Sequence, residues 1–476
     1  MHIYGQSLSR CRPVSNPFIC SLAALTLATT VFGQGIVTTF AGTPGVGGHV
    51  DGTGTQALFL SPKAMSVDSA GNVYTVDNFC GTVRKITPAG VTSTIAGPPT
   101  ACAFGAVDGT ASDARFTSPS GTAVDPSGNV YIADSGNCTV RKLSTDGNVT
   151  TVAGQAYSCQ SIDGDRNTAR FNGIAGIDVG IDGNVYVTSW GDCTVRRVTP
   201  AGDVTTVAGV SAVCSSTDGT GTSARFGNPS GIASDGHGNF YIADETGCTV
   251  RAMTSAGVVT TLAGNPGTCG SADGQGANAL FNVPSWSAVD RSGNVYISDY
   301  LNHTVRKVTQ AGVVTTIAGL SGISGATNGA GPAALLNHPD GIAVDASGTV
   351  YVADRNNHDL RKIVIPGNLT LLATSRVSTR SSGLAYSRVT QTYNGTITIT
   401  NTSASAIPGP FQVALISLTS GVTVANQSAY MGAPFVLVPN AAALAPGQSV
   451  SAPVQFRNPA AALISFTPAI YTGSIN

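Results

Sequence analysis

Acidic side chains recur in this sequence at fixed places, and a ring of carboxylates could bind calcium or move protons. Asp68, Asp125, Asp235, Asp290 and Asp345 form one series, and Asp77, Asp134, Asp244, Asp299 and Asp354 a second. A third precedes glycine at Asp51, Asp108, Asp163, Asp218 and Asp273, without the alternating ligand spacing of an EF-hand loop. His303 and His358 occupy equivalent positions with His338 between them, a set that would suit zinc if another ligand joined it. Each chemical reading has a structural rival. Asp accepts backbone hydrogen bonds in turns, and acids of the Asp134 type can pair with arginines of the Arg141 type, holding loop to strand. Nearly every unit carries these acids, whereas an active site needs local asymmetry. No catalytic residue and no metal ligand is therefore assigned, with calcium or zinc kept as the alternative. No nucleophile–base pair and no phosphate-cradling Gly-rich loop stands out.

The elements that must position these groups repeat. Gly128–Asp134 recurs around Asn72, Asn184, Asn239 and Asn294 and again at Gly348–Tyr351, in steps of 57, 55, 55, 55 and 55 residues. Such a period marks a repeat architecture. Each unit reads as four short strands; in the second they are Gly121–Val124, Asn129–Ala133, Thr139–Leu143 and Val149–Gly154, split by turn residues such as Asp125-Pro126-Ser127-Gly128. The Val-Thr-Thr-x-Ala-Gly strand first appears at Val37–Gly42, ahead of every other repeat strand, and none follows Ile363. The N-terminal copy thus completes the last unit, which predicts an all-β, closed, six-bladed β-propeller without exposed sheet edges. Phe59, Phe116, Phe171, Phe226 and Phe281, with Leu336, read as plugs between blades.

The runs Ser120–Asp125, Tyr131–Asp134 and Asn302-His303-Thr304-Val305-Arg306-Lys307 resemble the NHL repeat family, including its name-giving Asn-His. The resemblance spans roughly residues 35–365 and implies a β-propeller. The third unit departs most, with Ile174, Gly180 and Ser189 at the places of Pro119, Asp125 and Asp134. Six-bladed relatives include metal-dependent lyases and lactonases, so a divalent-metal lyase or hydrolase in the propeller channel is the alternative function the resemblance implies.

Ten cysteines are present, two of them (Cys11 and Cys20) in the N-terminal segment. The rest form repeat-related pairs, Cys80 with Cys102, Cys138 with Cys159, Cys193 with Cys214 and Cys248 with Cys269. The fifth and sixth units lose both members together: His303 and Ser324, then His358 and Gly47. Pairing within a unit explains that joint loss, so four intrablade disulfides are expected, in an oxidising compartment. The spacing lacks Cys-x-x-Cys and is a poor zinc signature.

Residues 1–33, with Arg10 and Arg12 ahead of the apolar stretch Phe18–Phe32, read as a secretory signal cleaved before Gln34, with an uncleaved anchor as the alternative. No later apolar run is long enough to span a bilayer as a helix. Only 10% of residues are charged and the net charge is −1, which argues against a nucleic-acid binder. The propeller is assigned to 35–366. After Pro366-Gly367 the repeat stops, and 368–476 reads as an immunoglobulin- or fibronectin-like β-sandwich.

Function is sought where the repeats disagree. The position after the second strand reads Asn78, Ser135, Trp190, Glu245, Tyr300 and Arg355, and Trp286 replaces the glycine of Gly121, Gly231 and Gly341. Strand alternation puts both positions at the channel mouth, on the cysteine-bearing face. Trp190, Glu245, Trp286, Tyr300 and Arg355 are the candidate binding residues, since aromatic and Arg side chains combine area with a polar handle. The expected protein is a secreted or cell-envelope, non-enzymatic binder or scaffold for a protein or glycan, with a structural attachment role as a further alternative.

Overall fold

The computed structural model describes residues 34–365, 370–371, 375–408, 411–416, 422–424, 435–438, 443–458 and 464–472. The expected leader over 1–33 and the junction at Pro366-Gly367 lie outside the described residues.

Residues 34–365 form six antiparallel sheets, five with five strands and one with four. Four strands per sheet run in chain order, as in Gly121–Val124, Val130–Asp134, Thr139–Leu143 and Asn148–Gly154. The second strand of each unit (VYIAD and its variants) is buried at every residue, because neighbouring sheets cover both of its faces. The first strands pack against one another in circular order, and Pro339–Val344 returns onto Pro62–Val67. Ile36–Ala41 pairs antiparallel with Asp359–Val364, so the two ends of the repeat region share a sheet. A two-residue outer strand, unforeseen in the sequence, comes from the Asp-Gly connection, for instance Gly109–Thr110 against Asn148–Val149. The third unit reduces it to a bridge between Gly164 and Val204.

The recurring acids are tied into this frame. Asp125 accepts from the backbone N–H groups of Ser127 and Asn129 and from the Asn129 amide, closing the turn between the first two strands. Arg141 is 1% exposed and binds Asp134 at 2.9 Å, Asp108 at 2.6 Å and the carbonyls of Val107 and Arg115. Its guanidinium lies 5.1 Å from the Phe116 ring centroid, so the plug residue also forms a cation–π contact. One buried arginine thereby fastens the connection, the second strand and the third. In the third unit the acids have moved. Asp182 replaces the Asp125 function, accepting from Asn184 and Tyr186, while Ser189 leaves Arg196 with Asp163 and carbonyl partners.

The eight cysteines of 34–365 lie at disulfide distance in four pairs, with Cα–Cα separations of 5.4 Å for Cys138–Cys159 and 4.1 Å for Cys80–Cys102. Cys138, Cys193, Cys248, His303 and His358 share a left-handed backbone at the third-strand start. In the first unit Gly81 takes that conformation and Cys80 stands one residue earlier.

Beyond residue 370, one sheet contains Val377–Ser381, Thr392–Asn401 and Ser449–Arg457, and another contains Phe411–Ile416 and Thr467–Thr472. Ile397, Ile399, Phe411, Val413, Val454 and Phe456 form a core of their own. Among the described residues no helix is long and apolar enough to cross a membrane.

Candidate functional site

The start of each first strand, the loop after each second strand and the cysteine loops lie at one end of the sheets. Gly121 pairs with Ala133, while Thr139 pairs with both Asp134 and Gly154. Two sets of side chains meet there. One begins the short 3-10 turn after the second strand and includes Ser135, Tyr300 and Arg355. The other follows the residue that opens the first strand, Lys63, Ala175, Ser230, Ser285 and Asp340, with Ser120 directly ahead of Gly121 in the second unit. A β-bulge falls at this second set. Pro339 pairs with Asp354 and the next partner is Ile342 with Val352; Pro284 pairs with Asp299 and the next is Trp286 with Ser298. A bulge re-aims side chains that simple alternation would place elsewhere.

Five of the six units depart from the small residues common at these places, the second alone keeping Ser120 and Ser135. Arg355 binds Asp340 at 3.2 Å through Nη1, and its Nε donates to Ser61 Oγ at 2.9 Å. Tyr300 lies within reach of the charges of Arg355, Asp340 and Glu245. Its ring centroid is 4.7 Å from that of His338. Glu245 lies near Ser230, with the charges of Asp340 and Lys63 close enough to act on it. Burial pushes the Glu245 carboxyl up to about 7; the Asp340 carboxylate adds to the rise and Lys63 opposes it. His338 is held below the ordinary imidazole value by burial and by Arg355. Asp340 is 3% exposed, yet its carboxylate is matched by Arg355.

The structure brings Glu245, Tyr300 and Arg355 together, as three of the five candidate residues. Trp190 is 49% exposed on the same end. Trp286 requires correction: it is 2% exposed and packs in the core with Ala64, Tyr296 and Ile342. The bulge at Ser285 breaks the alternation on which its placement relied, turning Trp286 into the packing between sheets. At the matching Gly231 a Cβ would meet the Trp286 backbone at 2.5 Å, so small residues there serve close strand approach. Lys63 and Asp340 were missed. The signal for them was available, since both break a run of Ser and Ala one residue before the glycine that was compared. Among the described residues no three His, Cys, Asp or Glu side chains gather in a group that could hold a metal.

The teneurin NHL domain matches residues 43–144, and the NHL repeat matches residues 336–363. The chain carries NHL-repeat sequence on a β-propeller fold. The chain is 29% identical over 274 residues to Protein SUPPRESSOR OF QUENCHING 1, chloroplastic, of Arabidopsis thaliana, covering 54% of this chain and 26% of that protein. It is 25% identical over 292 residues to human NHL repeat-containing protein 2, covering 54% and 40%. It thus spans well under half the length of these curated relatives. Among solved structures, an auxiliary nutrient binding protein from Bacteroides thetaiotaomicron shares the fold at TM-score 0.53 and 19% identity, over 69% of this chain and 76% of that one. A protein of unknown function from the same organism does so at TM-score 0.52 and 21% identity, over 69% and 75%. In this propeller the repeated Asp, Arg and Phe residues hold the sheets, and residues that break the repeat meet at one end.

Proposed function

We propose that this chain is a secreted, non-enzymatic binding protein: a leader over 1–33, a six-bladed NHL propeller over 35–366 and a β-sandwich over 368–476. The ligand is taken at the cysteine-bearing end of the propeller. The observation that carries this reading is the convergence of Glu245, Tyr300, Asp340 and Arg355, with Lys63, at the one place where the units differ most. These groups offer carboxylate acceptors, cationic donors and an aromatic face within one small area, the mixture that orients a bound molecule. The four cysteine pairs support an oxidising destination.

The test is a ligand screen by thermal shift on the full chain and on Glu245→Gln and Arg355→Lys, with circular dichroism to verify folding. Hits that stabilise the parent by several degrees and fail on both variants support the reading. Hits indifferent to both variants would remove the site from this end.

A further inference from the structure

The chemistry of this same end also narrows the class of ligand. The next step rests on the reading of the Glu245–Arg355 cluster as the binding site. Protein interfaces have an apolar, desolvated centre and a polar rim. Here the groups that converge are polar and charged. The convergent groups are Glu245, Asp340, Lys63 and Arg355 with Tyr300, and exposed aromatic rings share the same end. Residues 34–365 expose four Phe, Tyr or Trp rings, Phe79 at 53%, Phe104 at 53%, Tyr157 at 74% and Trp190 at 49%, and all four lie in loops at this end. The opposite end, formed by the turns between first and second and between third and fourth strands, exposes Ile181 and His237 but no Phe, Tyr or Trp ring.

The convergent groups carry two acids and two bases. An anionic ligand would meet Glu245 and Asp340, and a cationic one Lys63 and Arg355, so either sign gains on one side and loses on the other. A hydroxyl group escapes this conflict, because it donates to a carboxylate while accepting from an ammonium or guanidinium. A pyranose adds a flat face of C–H groups that packs on an isolated aromatic ring. We infer that the cysteine-bearing face binds a neutral carbohydrate, with sugar hydroxyls between the Glu245 and Asp340 carboxylates and the Lys63 and Arg355 cations, and further sugar faces against the exposed aromatic rings of the same end. The near-neutral titration of Glu245 agrees with such a ligand, because a protonated carboxyl can donate as well as accept.

Affinity electrophoresis of the full chain through galactomannan, xyloglucan and mixed-linkage glucan tests this, beside polygalacturonate and a fixed set of cationic and anionic peptides. Calorimetry with mannohexaose and cellohexaose separates short from long occupancy. The expected result is retardation by at least one neutral polysaccharide, weakened at least tenfold by Glu245→Gln and by Arg355→Lys, with folding verified by melting. Trp190→Ala should weaken polysaccharide binding several-fold more than hexasaccharide binding. Retention by polygalacturonate or peptides alone, lost in the same variants, overturns the carbohydrate class and leaves the site standing. Neutral-sugar binding that ignores Glu245→Gln and Arg355→Lys overturns the site. No binding to any probe overturns the inference.

Discussion

The imidazole of His358 accepts a 3.1 Å hydrogen bond at Nδ1 from the backbone N–H of Ser61, a residue 297 positions earlier in the chain. His303 repeats the arrangement, its Nδ1 accepting from the His338 N–H at 3.1 Å. These are the two units without cysteine pairs. The left-handed position that elsewhere carries Cys138, Cys193 or Cys248 there carries an imidazole tied to the start of the next first strand. His358→Ala and His303→Ala should each cost about 1–2 kcal/mol, since a partly buried N–H loses its acceptor. Denaturant unfolding midpoints measure this.

Acid should weaken the His303 contact. Burial, followed by the neighbouring His338, lowers the His303 value below 6.5. The unfolded chain therefore binds the proton first, and the stability this group contributes above about pH 6.5 is lost as pH falls through its folded value. An imidazolium would also place a proton on the accepting Nδ1. Melting temperatures of His303→Ala should converge with those of the parent below pH 6; a gap independent of pH would contradict this.

Asp359 stands where other units have Thr82, Thr139, Thr194, Thr249 or Thr304. Both its carboxylate oxygens are buried without a hydrogen-bond partner, and Arg361 Nε is 3.7 Å away, already serving Asp354 through Nη1. Burial, reinforced by Asp354, pushes the Asp359 carboxyl up to about 8. A raised acid stabilises fully below its unfolded value, and that contribution is lost as pH rises through 8. Asp359→Thr should stabilise by about 1–3 kcal/mol at neutral pH and flatten the decline that runs from about pH 4 to pH 8. A pH series of thermal melts would decide it.

Arg141 and Arg196 differ in one respect that predicts unequal losses. Removing Arg141 strands Asp134, whose side chain is 0% exposed; the third unit has Ser189 instead. Arg141→Met should cost about 3–5 kcal/mol, and Arg196→Met roughly 2 kcal/mol less, because no buried acid loses its counter-ion. Equal losses by urea titration would show that the carbonyl contacts, not the ion pair, dominate.

Glu245→Gln separates site from scaffold. The raised Glu245 value means the folded chain holds its proton longer, so its stabilising contribution is complete below about pH 4.5 and disappears as pH rises through 7. The Gln variant should melt with a flatter profile between pH 5 and 7.5 than the parent.

What the residues alone determine here is everything local and repeated. Alternation in Val130–Asp134 and Thr139–Leu143, turn residues at Asp125–Gly128 and the placement of Val37–Gly42 ahead of the other strands are enough to derive the sheets and the shared terminal sheet. The joint loss of cysteines is enough to derive which pairs lie together, because pairing within one unit is a constraint on one unit. Two things only the tertiary structure decided. The bulge after Pro284 and Pro339 offsets the two-residue period at the strand start, burying Trp286 and turning Asp340 toward Arg355. The approach of Glu245 to Asp340 and Lys63 joins three different units and exists only once the ring has closed. A period of two predicts facing only while the ladder is regular, and no local pattern encodes distances across a ring.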